Sequence, residues 1–119
     1  MIYSHDIRRV HFELSSRCNA KCPNCPRNVE GGYTVPTLFE TSITLEQFKK
    51  ILPPDFVKQL YLFIFCGNYG DPIFCTDLPA IAEYVYEHNK DCRINMHTNG
   101  GARNTSWWSK LAEANPNLE

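Results

Sequence analysis

The 119-residue sequence has no apolar run of membrane length; its longest, Leu60–Cys66, falls far short of the roughly 20 residues a spanning helix needs. No apolar h-region follows the opening Met-Ile-Tyr-Ser-His-Asp, so no secretory leader is expected. Neither sign of charge is in excess: twelve Lys and Arg face thirteen Asp and Glu, for a net charge of −1. That balance, with no basic cluster, argues against a nucleic-acid or membrane-surface footprint. Internal repeats and low-complexity tracts are absent. What remains is a single domain expected in the cytoplasm, with a hydrophobic content of 43% that is enough for a core. Six cysteines in such a reducing compartment point to metal or catalysis before disulfides.

The elements that can be read are of two kinds in alternation. Arg9–Leu14 sets Val10, Phe12 and Leu14 against His11 and Glu13, a strand with two unlike faces. After a Cys/Pro/Asn-rich loop and a Gly-rich linker around Gly31, Gly32 and Pro36, Thr44-Leu-Glu-Gln47 is a capping box. It opens a helix with the stripe Leu45, Phe48, Ile51, Leu52, stopped by Pro53-Pro54. Gln59–Phe65 is almost wholly apolar, the pattern of a strand covered on both faces. A helix from near Asp77, with Pro79 in its first turn, turns Leu78, Ile81, Ala82, Val85 and His88 inward. Arg93–Thr98 alternates again, and Trp107–Ala114 predicts a third helix in which one tryptophan faces in and one out.

Strand and helix three times over predicts parallel strands joined by right-handed crossovers. Parallel wiring puts the loops 15–27, 67–74 and 99–103 at one edge, the carboxyl end, where α/β folds build their sites.

Cys18, Cys22 and Cys25 have the spacing CxxxCxxC, which on a helix would be one stripe of small hydrophobes. Pro23 and Pro26 oppose this, since a proline in mid-helix costs about 3 kcal/mol. A non-helical loop can instead curl three thiolates around one centre. An iron–sulfur cluster normally takes four cysteines, so three leave one iron open, as catalytic metal sites do. A structural zinc satisfies the same Cys22–Cys25 spacing and would need a fourth ligand from Cys66, Cys75 or a histidine.

Cys18-Asn-Ala-Lys-Cys-Pro-Asn-Cys-Pro-Arg27, placed after a first strand, resembles the cluster loop of radical SAM enzymes. The resemblance implies a 4Fe–4S cluster on Cys18, Cys22 and Cys25 whose free iron chelates S-adenosylmethionine (SAM). It puts Asn24, where the family usually has an aromatic residue, near the adenine.

Two further loops are similar to the family's motifs. Gly67 and Gly70 lack the third glycine of a dinucleotide fingerprint; Tyr69-Gly70-Asp71-Pro72 instead resembles a Gly-Gly-Glu-Pro motif that holds the SAM amino group. There a glycine lets carbonyls approach a ligand and a carboxylate complements an ammonium. The bland reading of Asp71 is a turn residue before proline. Thr98-Asn99-Gly100 resembles the Thr-Asn-Gly near the SAM ribose or methionine. Asn-Gly alone is a hairpin signal, but Ala102–Ser106 is not a second strand. Asn95, His97, His11 and Glu13 are expected to line the inner surface of a curved sheet.

The implied fold is three β/α units with a parallel sheet, half of a TIM-like radical SAM barrel. The implied activity is reductive cleavage of SAM to a 5′-deoxyadenosyl radical that attacks a peptide or small-molecule substrate. An electron donor such as flavodoxin or ferredoxin is implied, and a second chain or a longer one to complete the barrel. The third strand is expected to be a bare edge. The alternative reading is a non-catalytic zinc module on the same cysteines.

Overall fold

Alternating side chains in the first predicted strand become β1, Arg9–Phe12, in the computed structural model, which describes residues 1–119. Two more strands, β2 (Leu62–Phe65) and β3 (Arg93–Met96), run parallel to it in the order β1-β2-β3. Register aligns Val10 with Phe63 and Ile94, and Phe12 with Phe65 and Met96. Successive side chains point to opposite faces of a strand, so these two rows share a face. It is the core face, with Phe63, Phe65 and Ile94 fully buried. The fold class is α/β with three strand–helix units, as the alternation of elements implied.

Helix α1 (Leu45–Ile51) begins at the predicted capping box: the Thr44 hydroxyl accepts from the Gln47 N–H, and Gln47 accepts from the Thr44 N–H. Its Phe48 ring is the centre of the core, with centroids 5.2 Å from Phe12, 6.0 Å from Phe63 and 6.0 Å from Tyr84. Pro53-Pro54 ends α1 and also starts α2 (Pro54–Lys58), because proline at the first helical position has no N–H to satisfy. Helix α3 (Leu78–His88) buries Leu78, Ile81, Ala82, Tyr84 and Val85, and α4 (Thr105–Ala114) buries Leu111. Side-chain polar groups tie the helices to the chain around them. The Tyr84 hydroxyl donates to Leu52 O at 2.9 Å, and the Asn89 amide donates to Val57 O and Leu60 O.

Four expectations change. The core cluster joins α1, α3 and α4 to the Phe63–Phe65 side of the sheet, whereas Leu62 and Ile64 stay half-exposed, so β2 is covered on one face only. Ile51 lies 57% exposed instead of in the inward stripe, because α1 ends there and Leu52 turns in. Trp107 and Trp108 both pack against the core, edge to face at 5.2 Å. The edge of β3 is not bare. Ile94 N–H donates to Asn117 O, Glu119 N–H to Ile94 O and Met96 N–H to Glu119 O, with a parallel bridge from Ile94 to Leu118. Unpaired strand groups are costly, and the turn at Pro116–Asn117 brings residues 117–119 alongside to supply them with partners.

Cys75 and Cys92 are fully buried in this core, and burial pushes both thiols up to about 11. Burial raises Tyr84 likewise. Raised folded values mean that stability is complete below the ordinary thiol value of 9.0 and is lost as pH rises through about 11. The midpoint of urea unfolding should therefore hold steady up to about pH 8.5 and fall toward about pH 11. A midpoint that stays level across that range would contradict the burial of these groups.

Candidate functional site

Three parallel strands deliver their following loops to one edge of the sheet, and there the loops touch. The Asp71 N–H of the second loop donates to Arg17 O of the first at 2.8 Å. The Asn99 side-chain amide of the third donates to Asn19 Oδ1 at 3.0 Å and to Cys18 Sγ at 3.5 Å. Asn19 in turn donates to Gly101 O at 2.9 Å. The Cys25 thiol points at Asn68 O, 3.8 Å away. Cys18, Cys25, Gly70, Asp71, Pro72, Thr98 and Asn99 thus belong to one cluster of loops, and Cys22 and Asn24 lie on its solvent side.

The cysteine loop is non-helical. Its main chain makes two successive tight turns, with Cys25 N–H bonded to Cys22 O and Asn28 N–H to Cys25 O. All three thiols are free. No group of three or more His, Cys, Asp or Glu side chains is gathered as a metal site. Bringing the three sulfurs around one centre therefore requires Lys21–Pro26 to adjust; Lys21, Pro23, Asn24 and Pro26 there are exposed, the last three in turns. The donor set suits a thiophilic metal group. Two buried atoms at the end of the loop also lack a partner, the Arg27 Nε donor and the Asn28 Oδ1 acceptor; an unpaired N–H two residues after the last of the three cysteines fits an anionic group.

The second loop is shaped by contact. A Cβ on Gly70 would collide with the Ser15 carbonyl and sit 2.7 Å from Ser16 Cα, so only glycine lets this loop cross the first. Asp71 is 5% exposed. Its carboxylate accepts from the Thr98 hydroxyl at 2.7 Å, the Asn99 N–H at 2.8 Å and the Ile73 N–H at 3.1 Å. The acidic side chain expected at the SAM amino group is thus engaged by the third loop and by the turn Pro72–Phe74 that it caps.

Arg27 is the residue that the sequence placed in the motif without a role. It is 3% exposed and donates to Ser16 O, Tyr69 O and Cys18 O, and it pairs with Glu40. That hydrogen bond and charge hold the Glu40 carboxyl below its ordinary value of 4.5. The supposed linker that carries Glu40 is an ordered strap. Asn28 pairs antiparallel with Thr34 and Ser15 with Ser42, and Glu30 and Gly31 turn the chain at positive φ. A charged residue directly after the last Cys-Pro was the available signal for Arg27; nothing marked Glu40, thirteen positions on.

His11, Glu13, Asn95 and His97 lie on the sheet face that no helix covers, and His11 pairs across β2 with Ile64 and Asn95. The His11 ring contacts Cys66 O at 3.0 Å, and Glu13 accepts from Asn68 at 2.8 Å. Cys75 is no candidate for a fourth metal ligand, since its thiol is buried and donates to Ile43 O. No helix is long and apolar enough to cross a membrane.

No protein-family model and no curated protein matches this sequence. Among solved structures, the chain is similar to BtrN in complex with AdoMet and 2-DOIA, with a TM-score of 0.71 and 19% identity. That match covers 97% of this chain and 43% of BtrN. It is also similar to selenomethionine BtrN in an open conformation, with a TM-score of 0.69, 21% identity and coverage of 97% and 47%. The chain therefore has the fold of BtrN over a little under half of BtrN's length.

Proposed function

We propose that this chain is a radical SAM protein: it holds a 4Fe–4S cluster on Cys18, Cys22 and Cys25 and binds SAM beside it. The observation that carries the reading is the meeting of three loops at one sheet edge, where Asn99 touches Cys18 and the loop of Gly70 and Asp71 lies against Arg17. The fold supports it, because the same fold in BtrN binds AdoMet. When bound and reduced, the cluster supplies the electron for cleavage of SAM to methionine and a 5′-deoxyadenosyl radical.

The chain's own residues have separate tasks in this reading. The three thiols are the ligands. The Gly67 and Gly70 carbonyls are left to accept from the SAM ammonium, because Asp71 is spent on holding the Thr98-Asn99 loop in place. Asn24, exposed beside Cys25, is assigned to the adenine side. The helix-free sheet face with His11, Glu13, Asn95 and His97 lines the space for a peptide or small-molecule substrate. A flavodoxin- or ferredoxin-like donor in the cytoplasm supplies the electron, and further chain or a second subunit completes the barrel.

Anaerobic reconstitution with iron and sulfide tests this. The expected product is brown, with absorbance near about 400 nm that fades with dithionite, and it binds SAM. A colourless chain holding one tight zinc and no SAM would sink the proposal in favour of the zinc module. That alternative would have to draw its fourth ligand from Cys66 or a histidine, since Cys75 is locked in the core.

A further inference from the structure

We infer that buried Arg27, paired with exposed Glu40, is a positioning device that locks the cysteine loop to the glycine loop, and so sets the cluster against SAM. What is positioned rests on the proposal above; the locking itself rests on contacts. The guanidinium plane reaches three main-chain carbonyls in two different loops. Ser16 O, at 2.7 Å, and Cys18 O, at 3.5 Å, flank the start of the cysteine loop, and Tyr69 O, at 3.1 Å, lies in the glycine loop. Three carbonyl dipoles turned toward one point repel one another unless a cation sits between them. Arginine alone carries enough donors in one rigid plane to satisfy them all.

Glu40 supplies the counter-charge that lets a cation stay 97% out of water. Its neighbours in the strap bind the same loop: Ser16 Oγ donates to Phe39 O at 2.8 Å, and Thr41 N–H donates to Ser16 Oγ at 2.8 Å. One further donor, Arg27 Nε–H, is buried without a protein partner. Arg27 is also outside the hydrophobic core cluster. Its contacts are with the site's loops and not with the packing that holds helices to sheet.

The test is Arg27→Lys, which keeps the charge and loses the planar fork, beside Glu40→Gln. In the metal-free chain, the Asp71 amide bonds to Arg17 O across the two loops. Its hydrogen exchange, followed by NMR, should speed up at least about tenfold in R27K while the Phe63 and Ile94 amides keep their wild-type rates. In the reconstituted chain, R27K should load iron as the wild type does. The SAM-dependent change in its reduced EPR spectrum should then need about tenfold more SAM. E40Q should move both readouts the same way by a smaller factor, and it carries the test if R27K does not fold.

Wild-type Asp71 exchange together with a wild-type SAM titration in R27K and E40Q overturns the inference. So does a loss of iron uptake that merely tracks a fall in Tm, the mark of a general folding role. A wild-type chain that takes up no cluster overturns the functional reading instead, and the exchange rates then still decide whether Arg27 couples the loops.

Discussion

Cys22→Ala is expected to abolish cluster loading and leave the fold untouched. Iron after reconstitution should fall from about four atoms per chain to a small fraction of one, and the absorbance near about 400 nm should vanish. An iron–sulfur cluster on three thiolates already works with one ligand fewer than usual. Removing another leaves two, and neither of the two core cysteines can replace it. Cys75 and Cys92 are enclosed by the core and kept protonated there, with thiols at about 11. Cys22 is exposed and lies on the solvent side of its turn, so its circular dichroism and urea midpoint should match the wild type. Full iron loading in C22A would remove Cys22 from the ligand set. Loss of loading with loss of fold would mean that the turn itself had been damaged, a result that Cys22→Ser would separate.

Asp71→Ala is expected to cost about 2–4 kcal/mol of stability. Three donors converge on this 5%-exposed carboxylate, from Thr98, Asn99 and Ile73. Alanine strands two main-chain N–H groups, and Ile73 is fully buried, so water cannot readily compensate. The same change releases the Thr98-Asn99 loop, and with it the Asn99 contact to Cys18. Urea unfolding should show a lower midpoint with an unchanged m-value. Asp71→Asn, which keeps one carbonyl acceptor, should lie about halfway. If D71A unfolds like the wild type, Asp71 is free for a ligand, as the resemblance first implied.

The helix starts and the cysteine loop were legible because their signals are local. Thr44 and Gln47 cap α1 by contacts three residues apart, and Pro23 and Pro26 forbid a helix whatever surrounds them. Helix α2 was missed because Pro53-Pro54 reads equally as a stop and as a start. The apolar run before Cys66 announced a strand, yet it could not tell one covered face from two. Leu62 and Ile64 are as apolar as Phe63 and Phe65, and only the placement of the helices exposes them.

By itself the sequence determined the order of strands and helices, the non-helical cysteine loop, and hence which three loops share the carboxyl edge. Those follow from side-chain periodicity, capping and proline sterics, which act within a few residues. Tertiary structure alone decided that Asp71 serves Thr98 and Asn99, that Arg27 closes on Ser16, Tyr69 and Glu40, and that residues 117–119 pair with β3. Each joins groups far apart in the chain. A buried charge or an unpaired strand edge takes whatever partner the completed packing brings within reach, and no local pattern encodes that partner.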